Sequence, residues 1–297
     1  MFEIKENRKL PRAADWIMIF YQIFVTITII FHYSKVPYAQ YFLIYHVLVI
    51  LFLLWLPGTE NQSVWKWLKI WNPILIIATN FTELHYVIHN VNPIDWDNAL
   101  IQLDYYLFGV HPTIWIEKWA HPLLTEYLQF IYTTFYFLPI VLAIILYCKK
   151  EYAKFDYFIF VIVFGYYAFY IGYFLVPAVG PRFTLDHLQN EPLNGVWISE
   201  ELRHILDRLE NTQRDAFPSG HTEITLLTML YAWRYSKAYF WVMLIIGTSL
   251  IFSTVYLRYH YVIDLIAGIL LFILVEALAP KLYNILNRLH LSIPGKN

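Results

Sequence analysis

YFWVMLIIGTSLIFSTVYLRYHYVIDLIAGILLFILVEALA, residues 239–279, decides the fold. Two apolar runs, 239–257 and 260–279, are each close to the roughly 20 residues that cross a bilayer core as a helix. They meet at a polar knuckle around Arg258 and His260. Working outward, the same pattern recurs at 16–33, 40–56, 70–88, 125–147, 155–176 and 219–235. The run at 70–88 carries Asn80, Glu83 and His85, with His89 just beyond it, and the run at 219–235 is short and polar at its start. The fold class expected is all-α: a polytopic membrane helix bundle of about eight transmembrane helices. Interfacial helices are expected on its outer face.

Composition agrees. The chain is 59% hydrophobic and 14% charged, against about 45–50% and about 25% in soluble domains. Aromatic residues make up 20%, and many suit the two headgroup layers. A net charge of -1 gives no electrostatic case for nucleic acid. The single cysteine, Cys148, rules out an internal disulfide and a cysteine-based metal cluster. The polar start MFEIKENRKLPR runs into an apolar span with no small-residue cleavage site, so a retained helix is expected there rather than a cleavable signal. One membrane domain is expected over 1–297, with accessory helices in 1–90 and the part that carries the chemistry in 91–285.

Basic residues orient the bundle. With the N-terminus inside, the inner connections hold Lys5, Arg8, Lys9, Arg12, Lys66, Lys69, Lys149, Lys150, Lys154, Arg234, Lys237, Lys281, Arg288 and Lys296. The outer connections hold half as many, and four of those lie in one long connection, 177–218. Both termini are therefore expected in the cytoplasm. Segment 89–124, with DNALIQLDYYLFG and TIWIEKWA, reads as helices lying along the interface, anchored by Trp96, Trp115 and Trp119. Segment 177–218 holds ISEELRHILDRLE, a short polar helix expected as a lid or rim.

Three short segments carry chemistry, and all fall on the outer face of this topology. In the knuckle, His260 and Asp264 are four apart, which puts them on one helix face. A carboxylate bonded to one imidazole nitrogen fixes the tautomer and leaves the other free to attack. An arbitrary His-x-x-x-Asp is more often a membrane-edge ion pair; this one gains weight because ionisable groups near membrane segments are costly and usually functional. The second segment, Pro218-Ser219-Gly220-His221, sits at a loop-to-helix junction. Free N–H groups at a helix start attract anions, Ser219 offers a hydroxyl, and Gly220 lets a ligand approach the backbone. His221 would then serve as acid and base beside a bound phosphate. An ordinary turn and cap is the competing reading. The third segment, Pro177-Ala-Val-Gly-Pro-Arg182, presents Arg182 after a rigid turn. Arg182, Arg214 and Arg258 are candidate phosphate ligands, because a guanidinium fork binds phosphate oxygens in pairs. Each alone also fits a snorkelling headgroup contact. His85 and His89 make a His-x-x-x-His pair with no third ligand at metal-site spacing; no metal and no cofactor are assigned.

The Pro-Ser-Gly-His segment followed by YLRYHYVIDLIAG resembles the type 2 phosphatidic acid phosphatase superfamily. It unites lipid phosphatases, polyprenyl pyrophosphate phosphatases, vanadium haloperoxidases and sphingolipid headgroup transferases. The resemblance covers about 177–268, and more weakly from about 92. It implies His260 as nucleophile, Asp264 as its partner, His221 as acid and base, and Ser219 and Gly220 as phosphate ligands. This chain departs from the pattern at Leu175, where the family has lysine, at Phe183, where it has proline, and at Thr254, where it has arginine. Arg258 and Arg214 are the candidates to fill that gap. STVYLRYHYVIDLIAG, AFPSGH, PAVGPR and the outer stretch NPIDWDNALIQLDYYLFGVHP look most like the branch containing inositol phosphorylceramide synthase. Asp97 and Asp104 in that stretch are expected to face water beside the site.

The function expected is a membrane lipid phosphotransferase working through a phosphohistidine and moving a phosphate-bearing headgroup between lipids. The alternative is a lipid phosphate phosphatase with water as acceptor, and a lipid transporter is the remote one. Expected partners are phospholipid or sphingolipid substrates and membrane lipids, in a plasma (inner) membrane with the site on the extracytoplasmic face. Phosphatidylinositol, phosphatidic acid, ceramide and polyprenyl phosphates all remain open as substrates, and the sequence specifies no oligomeric state.

Overall fold

The computed structural model describes residues 10–59, 63–210 and 214–289. The terminal charges Lys5, Arg8, Lys9 and Lys296, used above for orientation, lie outside the described residues, as does 211–213 of the long second connection. The described chain is helical, with no strand among its residues. In order it forms α1 (Ala13–Phe31), α2 (Ala39–Trp55), α3 (Ser63–Val91), α4 (Asp97–Phe108), α5 (Pro112–Trp115), α6 (Pro122–Thr133) and α7 (Phe137–Cys148). There follow α8 (Tyr152–Leu175), α9 (Pro181–Thr184), α10 (Ser199–Glu210), α11 (Gly220–Tyr235), α12 (Lys237–Tyr256) and α13 (Val262–Leu289).

Five described helices are long and apolar enough to cross a membrane: α1, α2 with its following turn, α8, α12 and α13. The pair α6–α7, bent by 50°, makes a sixth if counted as one span. Eight were expected; five or six among the described residues meet this test of length and apolar character. The run expected at 70–88 lies in α3, a helix of 29 residues, but Asn72, Asn80 and Glu83 interrupt its apolar surface. All three are buried against the rest of the protein. The run at 219–235 is α11, whose 16 residues fall short of the roughly 20 that a bilayer core requires. The run at 125–147 breaks between Thr133 and Phe137.

α8 is the hub, and α1, α3, α7, α11 and α13 all pack on it. Its buried face is aromatic, with Phe158, Phe160, Tyr167 and Tyr170 nearly inaccessible. Gly165 lets α11 come close, because a Cβ there would lie 2.9 Å from Leu227 Cδ1. The connection 92–121 and the described residues of 177–218 gather at one end of this bundle. There Trp96 donates to the Pro177 carbonyl and Ala216 to the Ala178 carbonyl.

Candidate active site

The turn between α12 and α13 is fixed before any side chain is considered. The Thr254 carbonyl accepts from both Tyr259 N–H (2.9 Å) and His260 N–H (3.0 Å). Arg258 takes a left-handed conformation with φ +66° to make the turn. This directs the His260 ring inward, where it is almost fully buried. Its Nδ1 lies 2.7 Å from the Ala216 carbonyl oxygen. A carbonyl only accepts, so Nδ1 carries the hydrogen and Nε2 keeps a lone pair. Nε2 lies 3.2 Å from His221 Nδ1, whose hydrogen then points at that lone pair. Burial draws the His260 imidazole down to about 4, against the Ala216 bond, which favours the charged form.

Asp264 is fully buried beside this pair. Its Oδ2 accepts from Tyr261 N–H at 2.8 Å and stands 3.4 Å from His260 Nδ1. The shorter and tautomer-fixing contact is thus the Ala216 carbonyl, with the carboxylate behind it. The Asp264 backbone carbonyl accepts from Ser219 N–H at 3.0 Å, which locks the two histidine segments together. Gly268 permits this, since a Cβ there would be 2.5 Å from the Ser219 carbonyl oxygen.

Ser219 caps α11: its Oγ accepts from Thr222 N–H at 3.2 Å and from the Thr222 hydroxyl at 3.1 Å. A Cβ at Gly220 would press on the Phe169 ring at 2.8 Å. His221, in the first turn, lies under the Tyr132 ring with centroids 4.7 Å apart. Tyr132 in turn stacks on Tyr259 at 4.4 Å. Nε2 of His221 is buried with no hydrogen-bond partner.

The structure brings His260, Asp264, His221, Ser219 and Gly220 together and gives each arginine a carboxylate. Arg182 forms a forked pair with Asp207 of α10, at 2.6 and 2.7 Å, and its guanidinium lies 5.6 Å over the Tyr259 ring. One aromatic stack therefore separates it from His221. Arg214 makes a forked pair with Asp95, at 2.7 and 3.0 Å. Arg258 points away from His260 into a brace, bonding Glu117 and Gln189 at 2.8 Å and the Glu191 carbonyl at 2.7 Å. Of the departures from the family pattern, Leu175 and Phe183 are exposed, while Thr254 is fully buried.

Asp97 and Asp104 do not face water. They are buried on α4 and clamp the site from above. Asp97 accepts from Val179 N–H (2.9 Å), Gly180 N–H (2.8 Å) and the Tyr261 hydroxyl (2.8 Å). Asp104 accepts from Val262 N–H (2.9 Å) and Ile263 N–H (2.7 Å), the free donors at the start of α13. Their spacing of seven on one helix face was the available signal. Glu126 was missed altogether. Its carboxylate collects the N–H groups of Val196, Trp197 and Ile198 at 2.9–3.0 Å, so it fastens the segment that enters α10. On α3, Glu83 pairs with His46 rather than with His85 or His89, Oε1 to Nε2 2.8 Å.

Below the histidines runs a cavity of about 460 Å³. Asp215, Gly220 and His221 line one part of it, and aromatic and aliphatic side chains of α3, α7 and α8 line the rest. The volume falls within the ~300–1,000 Å³ typical of ligand sites.

A family model described as PAP2 superfamily matches residues 98–278, and the chain belongs to that superfamily. A PA-phosphatase related-family protein of Dictyostelium discoideum is 31% identical over 98 residues, which are 32% of this chain and 18% of that protein. The chain thus spans less than a fifth of the length of the curated relative it matches. No solved structure matches. The superfamily covers phosphatases and phosphotransferases acting on lipid phosphates.

Proposed function

We propose that the protein is a membrane lipid phosphotransferase that passes a phosphate-bearing headgroup from one lipid to the hydroxyl of another, in the manner of inositol phosphorylceramide synthase. The observation that carries this is a pair of imidazoles 3.2 Å apart, one of which, His221, lines an apolar cavity. With the donor phosphate bound, His221 enters the step as imidazolium: the His260 Nε2 lone pair attacks phosphorus, the bond from phosphorus to the donor's oxygen breaks, and that oxygen takes a proton from His221, which is left neutral. The acceptor hydroxyl then attacks the phosphohistidine, gives its proton to His221, and the P–N bond breaks to restore His260. Arg182, released from Asp207, is the cation best situated to bind the phosphate oxygens in pairs. Ser219 and Gly220 shape the helix start that faces the anion. Arg258 and Arg214 brace the surrounding loops.

Transfer is favoured over hydrolysis by the cover over the histidines. Glu126 and Arg258 tie down the segment that leads into α10, and α10 supplies Asp207. A phosphohistidine held under this cover meets less water. The second reading, a phosphatase with water as acceptor, is favoured by the name of the Dictyostelium relative. Basic residues in the short connections support an orientation with both termini inside and the site on the outer face.

The test incubates purified protein with labelled phospholipids, with and without lipid alcohols, and reads products by mass spectrometry. A lipid product that requires the acceptor is expected. Free phosphate released without any acceptor would favour the phosphatase, and no product of either kind from any phospholipid would overturn both.

A further inference from the structure

The cavity under His221 has a wall that the family match does not include. α3 ends at Val91 and the match begins at residue 98, yet Ile74, Ile77, Ala78 and Phe81 of α3 line the cavity opposite α7 and α8. The wall is fixed in place. The Tyr170 hydroxyl donates to the Ile77 carbonyl at 3.1 Å, and the Tyr167 hydroxyl donates to Asn80 Oδ1 at 2.9 Å. Gln22 of α1 donates to the same oxygen at 2.8 Å. α3 is thereby bonded to α8 on one side and to α1 on another.

The cavity is deep and narrow. Along α8 its lining runs from Phe158 to Tyr173, fifteen steps of about 1.5 Å, or roughly 22 Å. That is most of the ~30 Å hydrocarbon core of a bilayer. A volume of about 460 Å³ drawn out over that depth is a channel rather than a bowl. The carboxylate and the imidazole of its lining, Asp215 and His221, belong to the segments at the site end. Ile74, Ala78 and Thr82 on α3 and Tyr136 beside α7 are exposed, so the channel opens sideways between these two helices.

We infer that this channel holds one extended hydrocarbon chain of the phosphorylated lipid, and that α3 is the element that selects chain length and bulk. The inference rests on the lipid phosphate reading above. A lipid enters through the gap between α3 and α7, its chain lies against α8, and its phosphate comes to rest at the histidine pair. A helix outside the matched segment thus sets a property of the reaction performed inside it.

Two measurements test this. In the first, kcat/KM is compared for long-chain and short-chain versions of one phospholipid substrate. In Ala78→Trp the long-to-short ratio is expected to fall at least tenfold. In Leu75→Trp, on the same helix but facing outward and not lining the cavity, it stays at the wild-type value. An unchanged ratio in Ala78→Trp, or an equal fall in both, overturns the inference. The second uses unmodified protein and needs no turnover: direct calorimetric binding of n-alkyl phosphates from butyl to decyl, below their micelle concentrations. Affinity is expected to rise up to about fourfold per methylene; affinity independent of length overturns the inference even where Ala78→Trp does not fold. A protein that binds the ladder with this slope but turns over no phospholipid would refute the proposed reaction and leave the channel standing.

Discussion

His260 and His46 are both buried histidines beside a carboxylate, and they stand in opposite chemical situations. In the interior, each nitrogen of His46 faces a polar group. Nε2 is 2.8 Å from Glu83 Oε1, and Nδ1 is 2.8 Å from the Thr26 hydroxyl. The chain continues from Glu83 through Asn80 to Gln22 and Tyr167, so one polar thread joins α1, α2, α3 and α8. At the end of the bundle, His260 has one nitrogen claimed by a carbonyl and the other faced only by a second imidazole. The difference teaches that a buried histidine–carboxylate pair does not by itself mark a reactive group. A lone pair met by a second titratable group beside a cavity, rather than by a hydroxyl or a carboxylate, is what distinguishes the site from the fastening.

The sharpest way to break this comparison is to remove each ring in turn. His260→Ala should lower turnover by roughly ten-thousandfold or more in protein that is still folded at the assay temperature. His46→Ala should keep turnover at low temperature and lose stability, by about 3–5 kcal/mol, because it leaves Glu83 buried without its partner. Thermal unfolding and initial rates on both variants decide it; equal losses of activity would erase the distinction. His221→Ala should lower the rate by about 10²–10⁴-fold, with the deficit greatest for poor leaving groups. A uniform deficit across leaving groups would remove its role as acid.

Acidity sharpens the comparison further. The His260 imidazole lies near 4 in the folded protein, against about 6.5 in an unfolded chain. The unfolded state therefore takes up the proton first, so stability contributed by this group rises with pH. It falls as pH drops from about 6.5 towards 4 and is flat above about 7. The acid limb of kcat/KM is expected near 4, and a limb at 6.5 in a pH–rate profile would contradict the buried, neutral nucleophile. The smallest effect is expected at Asp104. Asp104→Ala removes the acceptor for the Val262 and Ile263 N–H groups, with about 0.5–2 kcal/mol lost as for other caps. A melting temperature equal to the unmodified protein's would show that water replaces the clamp.

What was legible in the sequence was local. His260 and Asp264 are four apart, and Pro218 to His221 are contiguous, so helical spacing and capping chemistry were enough to pick them out. The apolar runs of α1, α2, α8, α12 and α13 declared themselves by length. α3 and α11 fall outside the count by length and hydropathy, because one carries polar residues buried by neighbouring helices and the other is a short helix packed on a long one. The rest of the site is built from distant pairings. Asp97 meets Tyr261 across 164 residues of chain, Arg258 meets Glu117 across 141, and Glu126 meets the N–H of Trp197 across 71. Ala216 supplies only a backbone carbonyl, which no side-chain pattern announces. The three arginines were recognisable as anion ligands in general, but their carboxylate partners were not, so their present commitments could be seen only in three dimensions.

The most direct measurement is to trap the covalent intermediate. Purified protein is mixed rapidly with phospholipid labelled at phosphorus, quenched in base, and mapped by peptide mass spectrometry. The expected result is a base-stable, acid-labile label on His260, more abundant in His221→Ala and absent from His260→Ala. A label on any other residue, or turnover in His260→Ala at the unmodified rate, would contradict the account.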